Sequence, residues 1–152
     1  MRTINTQNFS YILTMDKIVL DIERVFEQYS IYKMLIICSE KQDIEQLANE
    51  LKDHHHSVSG VYHRMNNHVI RWNMNRFITN HTRTLVIGSD KVGVLNGIEY
   101  DSIWNDINFI VCIDLTEEEK HYWIHRYVQH DKSHYIHIYD KDNDPQYYIM
   151  NI

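Results

Sequence analysis

Two short runs of mostly apolar residues constrain the fold of this chain most: "KMLIIC" at 33–38 and "INFIVCID" at 107–114. A half-exposed strand alternates apolar and polar residues, whereas a continuous apolar run of this length is typical of a strand covered on both faces. Such strands occur in parallel sheets, in which a crossover segment joins each strand to the next. The sequence therefore has to supply helices between its strands.

Helical patterns do separate the strand-like runs. Residues 16–29 place Ile18, Ile22 and Val25 on one side of a helix, with Asp16 as its N-cap. The alternation of strands and helices predicts an α/β fold, with a mostly parallel sheet and helices on both faces. The predicted elements are strand 8–15, helix 16–29, strand 33–38, helix 39–52 with Ser39 and Gln42 as its capping pair, strand 57–62, helix 68–78, strand 82–89, a long loop at 90–106, strand 107–114, helix 116–128, strand 134–140 and an apolar tail that pairs or docks.

Composition favours one globular domain. The 152 residues include only 4 Gly and 1 Pro, which leaves no flexible linker, so we expect a single domain over 1–152. The 21 acidic and 15 basic residues give a net charge of −6, so any contact with nucleic acid must come from a local patch.

No run approaches a membrane span, and we expect no membrane contact. Cys38 and Cys112 lie in apolar runs, as buried thiols of a reducing, cytoplasmic compartment do.

The order of these elements resembles the second, C-terminal RecA-like domain of DEAD-box RNA helicases. "MLIICSEKQDIEQLANEL" is similar to the motif IV strand and helix of that family, and "RTLVIGSD" to the strand leading into motif V. "NGIE" is similar to the family's "RGLD", "VCIDLT" to "INYDLP", and "YWIHRYVQHDK" to motif VI, "YIHRIGRTGR". The resemblance covers nearly the whole chain, with the core at about 7–140, and implies one RecA-like lobe of a two-lobe helicase core, cut from a larger protein.

The match to motif VI is degenerate. In the family, two arginines of this motif reach the phosphates of ATP and stabilise charge there through a bidentate fork. The matching positions are Gln129 and Lys132, while His125 and Arg126 keep the family's residues. A glutamine cannot neutralise a developing phosphate charge, and a lysine is only a point charge. We therefore expect no catalytic residue in this lobe.

The match to motif V is degenerate as well. Asn96 replaces the family's arginine, Gly97 is kept, and Glu99 replaces the family's aspartate. The sequence G-x-x-x-x-G-K-[ST], which cradles phosphates in the first lobe of such helicases, does not occur in the chain. The resemblance thus implies no cofactor for this domain alone, and ATP only if an intact first lobe accompanies it.

RNA is the partner that the resemblance implies. In active relatives, motif IV, the segment after the third strand and motif V hold the RNA backbone through amides, hydroxyls and arginines. The matching positions here are Ser39, Arg64, Ser89 and Lys91. Further charge would come from Arg71, Arg76 and Arg83. We expect single-stranded RNA and no DNA.

Three functional hypotheses follow. The chain is an RNA-binding lobe without ATPase chemistry in an RNA-processing protein, or a protein-interaction or self-association module that forms a homodimer or binds another protein. Alternatively it is the second lobe of a divergent but active helicase, in which Arg126 and Lys132 replace the lost arginines. Degenerate helicase halves of this kind are similar to those of Tudor-domain proteins in the germline small-RNA (piRNA) pathway. That similarity implies a cytoplasmic protein of perinuclear ribonucleoprotein granules.

Other kinds of site have weaker signals. His121 and His125 are spaced to share one side of a helix, but H-E-x-x-H and C-x-x-C are both missing, so we expect no metal. Aromatic residues are abundant, and an exposed one would indicate a binding surface. The residues whose exposure decides this are Trp72, Trp104 and Trp123.

Overall fold

The structure is a computed structural model that describes residues 15–28, 33–39, 44–53, 57–62, 64–91, 103–129, 134–140 and 143–150. Strands and helices alternate along these residues, as the sequence predicts. The strands are β1 (Met34–Cys38), β2 (Val58–Val61), β3 (Thr84–Gly88), β4 (Phe109–Ile113), β5 (His134–Tyr139) and β6 (Gln146–Met150). The helices are α1 (Met15–Gln28), α2 (Ile44–Asp53), α3 (Asn67–Ile78) and α4 (Glu117–Val128), together with a short 3-10 helix at Ser89–Lys91.

The strands form one six-stranded sheet in the order β2-β3-β1-β4-β5-β6. The first five are parallel, and β6 pairs antiparallel with β5. β1 lies in the middle, where Cys38 pairs with Gly88 of β3 on one side and with Ile113 of β4 on the other. All five residues of β1 and of β4 are buried, which is why both strands read as continuous apolar runs.

The sheet carries a helix layer on each face. Leu35 and Ile37 of β1 pack against the layer that contains α3 and α4, and Met34 and Ile36 pack against the layer of α1 and α2. This alternation follows from the two-residue period of a strand. The predicted α/β fold with helices on both faces is confirmed.

The described residues refine several sequence-based boundaries. The tail does pair, as β6. The predicted loop at 90–106 is wrong at its end, because Ile103 and Trp104 are buried in a short helical turn. This turn lies just before β4, and its apolar side chains pack in the core beside α3 and α4. The predicted strand residues 8–14, and Gln42 with its capping role, lie outside the described residues.

The ends of α3 and α4 are fixed by side chains. Asn66 accepts a hydrogen bond from the Val69 backbone N–H at 3.0 Å. Thr116 and Glu119 form a capping box, in which each side chain accepts from the backbone N–H of the other. Among the described residues, no helix is long and apolar enough to cross a membrane.

Candidate nucleic-acid interface

Three of the predicted RNA contacts lie at one edge of the sheet. Ser39 directly follows β1, Ser89 directly follows β3, and Arg64 lies three residues after β2. These three strands are consecutive in the sheet, in the order β2-β3-β1. Because the carboxyl ends of parallel strands meet at the same edge, the fold brings these residues together there.

Register places the two serines side by side. Cys38 pairs with Gly88, so Ser39 and Ser89 are the next residues on two hydrogen-bonded strands. The Ser39 backbone N–H donates to the Ile113 carbonyl at 3.1 Å, which continues the ladder past the end of β1. The fourth predicted contact, Lys91, has its backbone in the 3-10 helix that begins at Ser89, and its side chain lies outside what the structure describes.

Gly88 gives the chain room to turn at this edge. A Cβ atom at this position would lie 2.7 Å from the Asp90 Oδ1 atom and 3.3 Å from the Ile44 Cδ1 atom. Real Cβ atoms essentially never approach another atom as closely as 2.7 Å. A side chain at position 88 would therefore displace the exposed Asp90 side chain and press on the Ile44 side chain.

Ser89 already has a partner, which the sequence does not reveal. Its side chain forms a hydrogen bond with the Glu119 carboxylate, in the first turn of α4. Burial raises the pKa of Glu119, but hydrogen bonds from the Thr116 backbone, from Ser89 and from the Thr116 hydroxyl outweigh burial and lower it overall. The T-x-x-E pattern predicts the hydrogen bonds between Thr116 and Glu119. Only the tertiary fold brings Ser89 close to Glu119. A phosphate at Ser89 has to compete with this carboxylate.

Arg64 combines exposure with an unusual backbone. Its φ angle is 69°, in the left-handed region that residues other than glycine rarely adopt. It lies in the segment after the third predicted strand, where the resemblance to helicases predicts RNA-backbone contacts. Left-handed residues of this kind cluster at functional sites.

The segment that is similar to motif VI lies towards the amino edge of the sheet. α4 begins just after β4 at the carboxyl edge and runs for 12 residues, about 18 Å, towards the start of β5. There the Tyr135 backbone N–H donates to the Tyr127 hydroxyl at 3.3 Å. His125, Arg126 and Gln129 are therefore separated from the carboxyl edge by most of the length of α4.

The described residues of this segment make contacts within the protein. The Arg126 guanidinium lies 5.5 Å from the ring centroid of the buried Trp104. Gln129 Nε2 lies 3.3 Å from His125 Nε2, and the ring of His125 stacks on that of His121 at 5.7 Å. The other predicted motif residues, Lys132, Asn96, Gly97 and Glu99, lie outside the described residues.

A groove of about 800 Å³ runs beside α4, between this helix and the strands β5 and β6. Lys120 is held inside it by Glu117 at 2.7 Å and by Asp140 at 2.9 Å. These carboxylates and Asp144 outnumber the lysine, and His121 and His125 also line the groove. Within the described part of the chain, no three His, Cys, Asp or Glu side chains are grouped so that they could hold a metal ion.

The three tryptophans differ sharply in exposure. Trp104 and Trp123 are 0% and 1% exposed, and their ring centroids lie 6.1 Å apart in the core. Trp72 is 64% exposed on α3. Of the residues that the sequence singles out for this test, Trp72 alone offers an aromatic ring to a partner.

Comparison with known proteins gives a structural match and no sequence match. No protein-family model matches the sequence, and no curated protein matches it. The fold is similar to the crystal structure of the Hef helicase domain of Pyrococcus furiosus, with a TM-score of 0.56 and 15% sequence identity. The match covers 76% of this chain and 23% of the Hef chain, so the present chain corresponds to a minor part of that helicase domain. At this identity the likeness shows the fold, and the chain therefore has a helicase-like RecA fold.

Proposed function

We propose that this chain is a helicase-like lobe that binds the backbone of single-stranded RNA at the carboxyl edge of its sheet and performs no ATP chemistry by itself. The observation that carries the proposal is the meeting of Ser39, Ser89 and Arg64 at the ends of three consecutive strands. Hydroxyl, backbone N–H and guanidinium groups are the donors that position a phosphate backbone without reading its sequence.

Charge limits the strength of this binding. The net charge of −6 repels RNA at long range, and Glu119 adds a carboxylate beside Ser89. Among the described side chains at this edge, Arg64 is therefore the main attraction for a phosphate. We expect weak, sequence-independent binding that falls steeply as salt is added.

The position of the motif VI remnant supports a lobe without catalysis of its own. Arg126 packs over Trp104 at the far end of α4, and the neighbouring groove carries an excess of carboxylates. A divergent active helicase would need Arg126 to leave that contact and reach a nucleotide held by another lobe. The DEAD-box assignment, the germline small-RNA pathway and the cytoplasmic granules remain predictions from the resemblance.

The test is the binding of fluorescent oligouridylate of about 15 nucleotides, followed by anisotropy at several salt concentrations. Arg64→Ala is expected to weaken binding roughly tenfold, because one charge-assisted contact is lost. The slope of log K against log salt should fall by about 0.7 in the same variant. Ser39→Ala should weaken binding less, because only a neutral donor is removed.

Arg24→Ala is the matched control. Arg24 is an exposed arginine of α1, in the opposite helix layer from α3 and α4, so the variant loses the same charge away from the edge. Its binding should stay within about twofold of the wild-type value, because exposed charges more than a Debye length apart are largely screened. Equal losses in Arg24→Ala and Arg64→Ala, or no RNA binding at low salt, would refute the proposal.

The structure favours the interaction-module hypothesis less. The large apolar side chains that are exposed in the described residues are Leu20 on α1, Val69 and Trp72 on α3, and Tyr122 on α4. α1 covers one face of the sheet, whereas α3 and α4 cover the other, so Leu20 does not share an apolar patch with the other three residues. Self-association stays a prediction, and sedimentation over a range of protein concentrations tests it.

A further inference from the structure

The segment from Arg64 to Arg83 is the basic part of an acidic protein. It contains four arginines, and none of the 21 acidic residues of the chain falls within it. All four arginine positions are exposed. Among the described residues, no ion pair joins a carboxylate to Arg64, Arg71 or Arg76. This segment therefore presents a local positive potential, although the net charge of the whole chain is negative.

α3 forms most of this segment, and its outer side is aromatic as well as basic. Met74 and Phe77 are buried against the sheet. Trp72 points the opposite way, because two residues before Met74 amount to a rotation of about 200° on a helix. Arg76 lies one turn after Trp72 on the same outer side, and Arg71, one residue before Trp72, projects about 100° round the helix at the side of this surface.

The surface is held rigidly. The Asn73 side chain donates to the Gly60 carbonyl of β2 at 2.7 Å, which ties the middle of α3 to the sheet. Asn66 caps the start of the helix. At the other end the Lys33 ammonium donates to the Phe77 carbonyl at 2.6 Å. A ligand on this helix does not have to order it first, so little binding energy is lost.

We propose that this helix surface extends the RNA path, with a base stacked on Trp72 and phosphates paired with Arg71 and Arg76. The inference rests on the proposed function, because α3 follows β2 and Arg64 and so begins at the carboxyl edge where the RNA backbone is held. The 12 residues of α3 span about 18 Å, which is room for about five stacked nucleotides.

Single-stranded RNA fits this surface better than an acidic peptide does. A helix that docks in a peptide complex presents an apolar stripe several residues long. Here the exposed apolar side chains of α3 are Val69 and Trp72, and the rest of the outer side is polar or basic. One exposed ring beside arginines is the combination on which unpaired bases stack and phosphates bind.

The exposure of Trp72 supplies a direct probe of stacking. The chain has 3 tryptophans, and Trp104 and Trp123 are buried, so quenching of red-shifted emission on adding RNA reports on Trp72. We expect an oligouridylate of about 15 nucleotides to quench this emission. Trp72→Ala should weaken binding of the longer RNA roughly 5- to 100-fold and abolish the quenching. Trp72→Phe keeps a ring and should stay within about threefold of wild type. Both variants change an exposed side chain, and circular dichroism checks that they fold.

Comparing variants separates the two proposals. If Arg64→Ala weakens binding while Trp72→Ala and Arg76→Ala do not, the path along α3 is wrong and the proposed edge site stands. If only the α3 variants weaken binding, the edge site fails and the helix surface remains. No binding by any RNA at low salt refutes both.

If polyglutamate shifts the Trp72 emission and the longer RNA does not, the occupant is an acidic peptide and this inference is wrong. Equal or tighter binding of oligothymidylate would assign the surface to single strands in general and overturn the choice of RNA.

Discussion

The Lys33 ammonium lies 2.6 Å from the Phe77 carbonyl oxygen, so a buried lysine at the start of β1 binds the last turn of α3. The side chain is only 1% exposed, and its Nζ atom lies 4.7 Å from the centroid of the Phe77 ring. Burial lowers the pKa of Lys33, and the Asp106 carboxylate opposes that shift. The carboxyl end of a helix carries partial negative charge, so the lysine fixes α3 on the sheet at that end.

Replacing Lys33 with methionine should destabilise the protein by about 1–3 kcal/mol. Met keeps the length of the apolar stem, but the Phe77 carbonyl loses its charged donor and keeps only the Asn80 backbone N–H, at 3.3 Å. Urea unfolding followed by circular dichroism measures the change as a lower midpoint with an unchanged slope. Lys52→Met, at an exposed lysine in the last turn of α2, is the control and should change the free energy of unfolding by less than about 0.5 kcal/mol. Equal stabilities of Lys33→Met and wild type would show that the bond is dispensable.

Lys33 also shows what the sequence can predict and what it cannot. The apolar run that follows it predicts β1 correctly, because burial on both faces of a strand is a local property of the sequence. The burial of Lys33 itself is not predictable in this way. Its partner lies 44 residues away, and lysines are almost always on the surface.

The candidate site also has some features that the sequence predicts and others that it does not. The resemblance predicts Ser39, Ser89 and Arg64 as separate positions, and parallel strands predict that such residues end at one edge. The order β2-β3-β1, which makes these strand ends neighbours, is a tertiary property. So is the contact of Ser89 with Glu119, residues that lie 30 positions apart. Periodicity therefore predicts the scaffold, whereas the partners of each site residue require the folded structure.

A polar cluster between α1 and the strands β5 and β6 makes stability depend on pH. The Tyr139 hydroxyl donates to Asp21 at 2.9 Å, and the Tyr147 hydroxyl donates to the same carboxylate. Lys17 also pairs with Asp21, at 3.0 Å. Because the Tyr139 proton is directed to Asp21, the His137 Nδ1 atom must donate to the Tyr139 oxygen, 3.1 Å away.

Because of His137, the free energy of unfolding should decrease as the pH falls from about 6.5 to about 4. Burial lowers the pKa of His137 to about 4, although the Asp21 charge opposes the shift. The unfolded chain therefore binds the proton first, and the stability that is present above pH 6.5 is lost towards pH 4, by roughly 3 kcal/mol for this group.

The variant His137→Phe tests this dependence. It keeps the ring contacts to Phe109 and Tyr147 but has no proton to bind. The free energy of unfolding, measured by urea at several pH values, should fall less steeply below pH 6.5 in the variant than in wild type. Carboxylates titrate in both proteins, so the difference between the two curves isolates His137. Parallel curves would assign the acid sensitivity to other groups.

Both cysteines should be inert while the protein is folded. Burial raises the pKa of Cys112 to about 12 and that of Cys38 further, and each thiol lies in the core. The thiolate is the reactive form, so a disulfide reagent at mildly alkaline pH should label neither residue in the native protein and both in denaturing guanidinium chloride. Labelling of one thiol under native conditions would show that the strand ends open locally.

The left-handed backbone of Arg64 allows charge and stability to be separated at the proposed RNA site. Arg64→Gly removes the guanidinium and also relieves a strain of about 1–2 kcal/mol. Glycine makes the unfolded chain more flexible, which offsets about 0.4–1 kcal/mol of that gain. We therefore expect Arg64→Gly to be as stable as wild type, or up to about 1 kcal/mol more stable, while its RNA affinity falls roughly as in Arg64→Ala.

Asn80→Gly is the matched control for the backbone. Asn80 is exposed and has a φ angle of 66°, but asparagine tolerates this conformation better than arginine, so its gain in stability should be smaller. Its RNA affinity should not change, because no charge is lost. Arg64→Lys keeps the charge and should restore most of the RNA affinity. A clear loss of stability in Arg64→Gly would mean that the arginine side chain supports the fold, and its RNA defect could then no longer be attributed to charge.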